Sequence, residues 1–146
     1  MAMNIGNWST ARILQSPFHG ILSRSHDLVR YTGRRSGKTF TTPTQYAPCE
    51  DGIVIFVARP ERKTWWRNFL DGHDLQVLLH GRWAHMRGRA IVGHEQPEVI
   101  RPLLAAYLSR YPHLERHLPE GATEPEAAVV VWCQPLRAEI GKRDPD

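Results

Sequence analysis

The sequence predicts a mainly β domain of α+β class, with about six antiparallel strands forming a small barrel and a few peripheral helices. Three observations lead there. Short runs rich in β-branched and aromatic residues recur along the chain, glycine-containing turns separate them, and few stretches carry helical periodicity. A barrel is favoured because it leaves no long strand edge open to solvent.

The elements follow in order. Ile13, Leu14, Phe18, Ile21 and Leu22 recur near helical spacing, with Pro17 as a break, which places an N-terminal helical segment over about residues 8–25. "DLVRYTG" reads as a strand, and "RRSG" as a turn in which Gly37 can take a positive φ. "KTFTTPTQYA" is a second strand, where Pro43 marks an edge or a bulge. After the turn at "EDG", "IVIFVA" is a continuous apolar run of the buried-strand type, so the three strands are expected as a meander.

Helical spacing of Trp65, Trp66 and Phe69 between Pro60 and Gly72 then predicts a helix. "DLQVLLHGRWAHMRGRAIVG" gives two strands around a His80-Gly81 turn. "QPEVIRPLLAAYLSRYPHLERHL" is a helix that Pro112 can interrupt, and "AAVVVWCQPLRAEI" supplies the last strand.

Composition narrows the class. A chain of 146 residues fits a single domain, 1–146, and its 41% hydrophobic and 23% charged residues make a globular composition, not a disordered one. Nineteen Lys and Arg against fifteen Asp and Glu leave +4, too mild an excess to imply nucleic-acid binding, and no nucleic-acid motif is present. Cys49 and Cys133 are too few for a disulfide framework and form no CxxC pair, so reduced thiols in a cytoplasmic protein are expected. No apolar stretch reaches the roughly 18 residues of a membrane span, although residues 11–24 could form an amphipathic helix that touches a membrane surface.

The chemistry concentrates in two basic clusters. Arg34, Arg35, Ser36, Gly37 and Lys38 make a turn whose amides and cations could converge on an anion, or simply a solvated hairpin tip. Lys63 and Arg67 open the segment carrying Trp65 and Trp66, one of which could face a flat ring while the other fills the core. "GRRSGKT" has only three residues between its glycines and is not a P-loop. Neither His80 with His85 nor His113 with His117 has a suitable acidic or thiol neighbour, so no metal site is expected. With no nucleophile motif either, redox chemistry here would need a cofactor.

"YTGRRSGKTFTTPTQYA", "KTWWRNFL" and "VLLHGRWAHMRGRAIV" resemble the deazaflavin-dependent nitroreductase family, over roughly residues 18–112. The resemblance implies a split β-barrel of the flavin and deazaflavin oxidoreductase superfamily, an FMN-binding-like fold common in actinobacteria. It also implies coenzyme F-420 as cofactor and hydride transfer from the reduced ring to a quinone, nitroaromatic or enone acceptor. By the same resemblance Arg34, Arg35, Ser36, Gly37 and Lys38 take the phosphate and tail of the cofactor. Thr41, Thr42, Pro43 and Ala58 lie along the ring, and Lys63, Trp65, Trp66, Arg67 and Asn68 match the W-[WY]-x-N segment. Where many members have a glycine-rich loop and a proline, this chain has the shorter, more charged "RPERKT", which keeps FMN as the alternative cofactor. A homodimer is implied, and a flavin or lipid carrier without turnover is the alternative to a reductase. Tyr46, Tyr107 and Tyr111 are the candidate proton donors, beside bulk water.

Overall fold

A computed structural model describes residues 26–136. Seven strands make one antiparallel sheet: β1 (His26–Thr32), β2 (Thr39–Gln45), β3 (Ala47–Cys49), β4 (Gly52–Phe56), β5 (His73–Leu79), β6 (Arg82–Val92) and β7 (Val129–Pro135). Their order is β2-β1-β5-β6-β7-β4-β3, and the sheet curls into a half-barrel. The helix α1 (Pro97–Arg110) packs on the outer face of β3, β4, β6 and β7. The N-terminal helical segment expected over residues 8–25 lies outside the described residues.

The expected meander does not form. "KTFTTPTQYA" is cut at Tyr46, where the chain leaves one rim of the sheet and starts the other, so β2 and β3 are the two edge strands. That cut also makes seven strands where the sequence suggests about six. β1 pairs with β2 and then with β5, whereas β4 pairs with β3 and with β7 from the far end of the chain. Pro43 fits because β2 has a partner on one side only among the described residues.

Alternation on the strands builds two cores. Val29, Ile55, Val77 and Val131 point into the barrel, which Phe69 and Trp66 also fill. Val54, Phe56, Ile91 and Val130 point out and meet Ile100, Leu103, Leu104 and Tyr107 of α1. β4 is apolar at every position because both of its faces are covered, one by the barrel and the other by α1. Each large apolar side chain buried in this way contributes about 1.5–3 kcal/mol.

The turns explain the registers. His80 at φ 50° and Gly81 at φ 80° give the doubly left-handed turn that matches strand twist, which fixes Leu79 opposite Arg82. Gly52, at φ 145°, lies so close to β7 that an added Cβ would stand 2.0 Å from the Cys133 carbonyl oxygen.

The helix expected between Pro60 and Gly72 is instead two short 3-10 turns, Pro60–Arg62 and Trp65–Phe69. Lys63 is extended, at φ −124° and ψ 147°, and separates them. Two adjacent tryptophans favour neither a long helix nor a solvated one, and their packing into the barrel mouth overrides the periodicity. Pro112 acts as expected: α1 ends at Arg110, and a separate 3-10 turn covers Leu114–His117.

Candidate functional site

The β1–β2 hairpin tip is a closed loop. The Gly33 N–H donates to the Lys38 carbonyl at 2.8 Å, the Gly37 N–H to the Gly33 carbonyl at 3.0 Å, and Gly37 takes φ 71°. The Lys38 N–H donates to Ser36 Oγ at 3.1 Å, so Ser36 serves the turn itself. The side chains of Arg35 and Lys38 are exposed and make no hydrogen bond or ion pair with any described residue.

The tip docks on the Trp65–Phe69 turn through Asn68. The Asn68 Oδ1 accepts the Arg34 N–H at 2.9 Å, and its Nδ2 donates to the Trp65 carbonyl at 2.9 Å. Arg34 adds Nη1 to the Arg67 carbonyl at 3.3 Å and pairs with Asp71 at 3.6 Å. Both partners of that pair are largely exposed, so it is worth little in energy and matters for placement. The His73 ring nitrogen Nε2 meets the Thr32 carbonyl at 2.8 Å and ties the base of the tip to β5. The two basic clusters, separated by about 30 residues in sequence, thus share one wall.

Within that wall the tryptophans divide the work. Trp66 is buried, donates its Nε1–H to the Pro60 carbonyl at 3.1 Å and carries Arg67 over its ring at 5.1 Å. Trp65 is half-buried and stands edge-on to Phe69. Lys63 reaches solvent, yet partial burial and the neighbouring Arg59 push its ammonium pKa down. Arg59 itself sits in the left-handed region at φ 52°, a strained position for a side chain of its size.

Thr41, Thr42 and Pro43 are half-buried on β2, but they do not face one way. Thr42 stands opposite Val29 on the barrel side, while Thr41 and Pro43 stand opposite Arg30 and Leu28 on the outer side. Only a ligand lying along the edge of β2 that no described strand covers meets all three. Ala58 is elsewhere, packed on the α1 side of β4. Next to it, Phe56, Arg59, Pro60, Glu61 and the 119–122 loop line a cleft of about 210 Å³. That cleft includes no residue of the 34–38 turn and is smaller than the roughly 300 Å³ that small-molecule sites start from.

The tyrosines are packed. Tyr46 and Tyr107 are buried, Tyr107 and Tyr111 have ring centroids 4.7 Å apart, and the Tyr111 hydroxyl donates to the Tyr46 carbonyl at 2.5 Å. Burial pushes the pKa of all three phenols up.

One residue escaped the sequence reading. Asp27 on β1 is fully buried, with Oδ1 accepting from the Thr44 hydroxyl and Oδ2 without a hydrogen-bond partner. Burial raises its pKa from 3.8 to about 7, against the opposing pull of the Thr44 hydrogen bond. Its only sequence signal is an acidic residue at an inward-facing strand position, legible once β1 and β2 are placed in register. Among the described residues, no three His, Cys, Asp or Glu side chains group to hold a metal ion, and no helix is long and apolar enough to cross a membrane.

The chain matches no protein-family model and no curated protein. Solved structures do share its architecture. The protein Atu2129 of unknown function from Agrobacterium tumefaciens aligns over 83% of this chain at 18% identity and TM-score 0.50. This chain spans only 55% of that one. A structure described as a domain-swapped dimer aligns over 85% of this chain and 92% of its own, at 19% identity and TM-score 0.55. The fold shared with these structures is a split barrel. The haem storage protein HutZ from Vibrio cholerae also aligns, over 84% of this chain and 90% of its own, at 10% identity and TM-score 0.49.

Proposed function

We propose that this protein is a deazaflavin-dependent oxidoreductase that binds coenzyme F-420 along the outer edge of β2, the side on which no described strand pairs with it. The observation that carries the reading is the Arg34–Asn68 hydrogen bond, which joins the GRRSGK turn to the WWRN turn in one basic wall. Those are the two segments on which the family resemblance rests. The donor set fits the group. Arg35 and Lys38 offer cations unpaired among the described residues for a phosphate and polyglutamate tail, and Trp65 offers a partly exposed ring near them.

When bound, the reduced deazaflavin supplies the hydride. The chain positions it: the turn anchors the tail, β2 guides the ring along Thr41, Thr42 and Pro43, and the barrel wall excludes water from one side. The 210 Å³ cleft beside Ala58 is too small to take the ring. A quinone, nitroaromatic or enone is the acceptor class in this reading. A homodimer belongs to it, in keeping with the fold neighbour described as a domain-swapped dimer.

The test is a parallel titration of the purified protein with F-420, FMN, FAD and haem, followed by reoxidation of bound reduced F-420 with menadione. Tight F-420 binding with turnover supports the reading. FMN binding in its place converts the protein to a flavin reductase or carrier, and haem binding alone abandons the reading.

A further inference from the structure

Asp27 stands at the inner end of an ordered line. β2 runs from the basic turn to Gln45, and at about 3.3 Å per residue Thr44 lies roughly 20 Å from Lys38 along it. Thr42 and Thr44 share the inward face of β2, both half-buried, and Thr44 is directly opposite Asp27. Among the described residues, the Thr44 hydroxyl is the one side-chain partner of the Asp27 carboxyl, and its second oxygen has none.

That geometry suits a neutral carboxyl better than a carboxylate. A buried carboxylate needs several donors or a cation; here the Thr44 hydroxyl and the backbone amide of Asp27 itself oppose the burial, and burial outweighs both. Among the described residues, the titratable groups packed around it give no cation either. Tyr46 from the β2–β3 link, Tyr107 from α1, Tyr111 just past its end and Cys133 from β7 lie within electrostatic reach, each with a pKa pushed up by burial and so neutral at pH 7. The guanidinium of Arg110 is spread over the rings of Tyr46 and Tyr111, 5.2 and 5.9 Å from their centroids.

We propose that Asp27 and Thr44 form a proton relay opening at the edge of β2, in which the Asp27 carboxyl stores a proton and the Thr44 hydroxyl delivers it to an acceptor bound beside Thr42. The relay rests on the reading that cofactor and acceptor occupy that edge. With the proton on Asp27 Oδ1, the existing hydrogen bond reverses, and the Thr44 O–H is released to point along β2.

In the step, the bound reduced cofactor would supply a hydride to the acceptor carbon of an enone or quinone, giving up two electrons, and the acceptor oxygen would then need one proton. The oxygen of the acceptor forms an O–H bond with the Thr44 proton as the Asp27 O–H breaks and reprotonates Thr44. Asp27 is left as a carboxylate and regains its proton from water through Thr44. Asp27 is a positioning and storage residue, since Thr44 alone would touch the acceptor.

The test compares the wild type with Asp27→Asn and Thr44→Val in three measurements. F-420 affinity is read first, by fluorescence titration. Stopped-flow hydride transfer to menadione is then followed from pH 5.5 to 9, in water and in deuterium oxide. Infrared difference spectra across the same pH range report a protonated carboxyl directly. The expected result is affinity within about twofold in all three proteins, with a wild-type rate that falls as pH rises through about 7 and carries a solvent isotope effect. Both variants should lose roughly 10- to 100-fold in rate at pH 6 and most of the pH dependence. The carboxyl band should titrate in the wild type and vanish in Asp27→Asn. If F-420 fails to bind, the functional reading falls and the relay falls with it. If F-420 binds and turns over but Asp27→Asn keeps the wild-type profile, or no carboxyl band titrates, the relay is overturned and the oxidoreductase stands. Should Asp27→Asn not fold, Thr44→Val with an unchanged profile overturns it equally.

Discussion

The Asn68 carboxamide spans two segments at once, accepting the Arg34 N–H at 2.9 Å while donating to the Trp65 carbonyl at 2.9 Å. It therefore sets where the basic tip stands relative to the WWRN turn, without itself being a free ligand group.

Asn68→Ala should remove both bonds and leave the Arg34 N–H to water. About 1–3 kcal/mol of stability should be lost. In a chain of this size, that is a fall in Tm of roughly 3–8 °C, readable by calorimetry. F-420 affinity should fall as well, because the tip is no longer held. An unchanged Tm would show that the tip is anchored by other contacts.

The double variant of Arg35 and Lys38 to alanine should behave oppositely. Both side chains are exposed and unpaired among the described residues, so Tm should move by less than about 2 °C. Cofactor affinity should drop at least tenfold, and the wild-type affinity should weaken as salt screens the charges. Equal affinity in the double variant removes the tail from this turn.

Asp27 gives a stability signature independent of any ligand. Its folded pKa of about 7 lies above the ordinary 3.8, so the folded chain holds the proton more tightly than the unfolded one. The contribution is fully present below about pH 4, falls as pH rises towards 7 and is gone above it, with a slope of at most about 1.4 kcal/mol per pH unit. In urea melts, Asp27→Asn should be relatively more stable than the wild type at pH 8 than at pH 5. A difference that is flat with pH would mean that the carboxyl is not neutral in the folded chain.

Two glycines should part company. Gly52→Ala sets a Cβ 2.0 Å from the Cys133 carbonyl oxygen at φ 145°, so β4 must lift off β7. A loss of about 3 kcal/mol or more is expected, seen as poor soluble yield or a Tm lower by over 8 °C. Gly37→Ala has open space around its Cβ and pays for φ 71° alone, about 1–2 kcal/mol.

What was legible in the sequence was local. His80-Gly81 announced its hairpin, Gly37 its left-handed turn, and Pro112 the end of α1, because each acts on its own few dihedrals. What was hidden was pairing at a distance. β4 finds β7 rather than β2, and the inward position of Asp27 matters only once Thr44 faces it from the next strand. The Trp65–Phe69 stretch misled for the same reason: its spacing is helical, but the barrel mouth takes the aromatic rings and a short 3-10 turn is enough to deliver them. Of the candidate site, the basic turn and its WWRN partner were visible as motifs, while the bond that unites them was not.

The place of β7 has a consequence for how the chain is made. β7 sits between β4 and β6, so Val54 and Ile55 wait for Trp132 and Val131 before their strand gains its second neighbour. From Phe56 to Val129 the ribosome must add 73 more residues. At typical synthesis speeds this takes roughly 4–15 s. During that interval the β3–β4 hairpin is a sticky, unfinished edge on the nascent chain, and chaperone demand should peak there and end abruptly when β7 slots in.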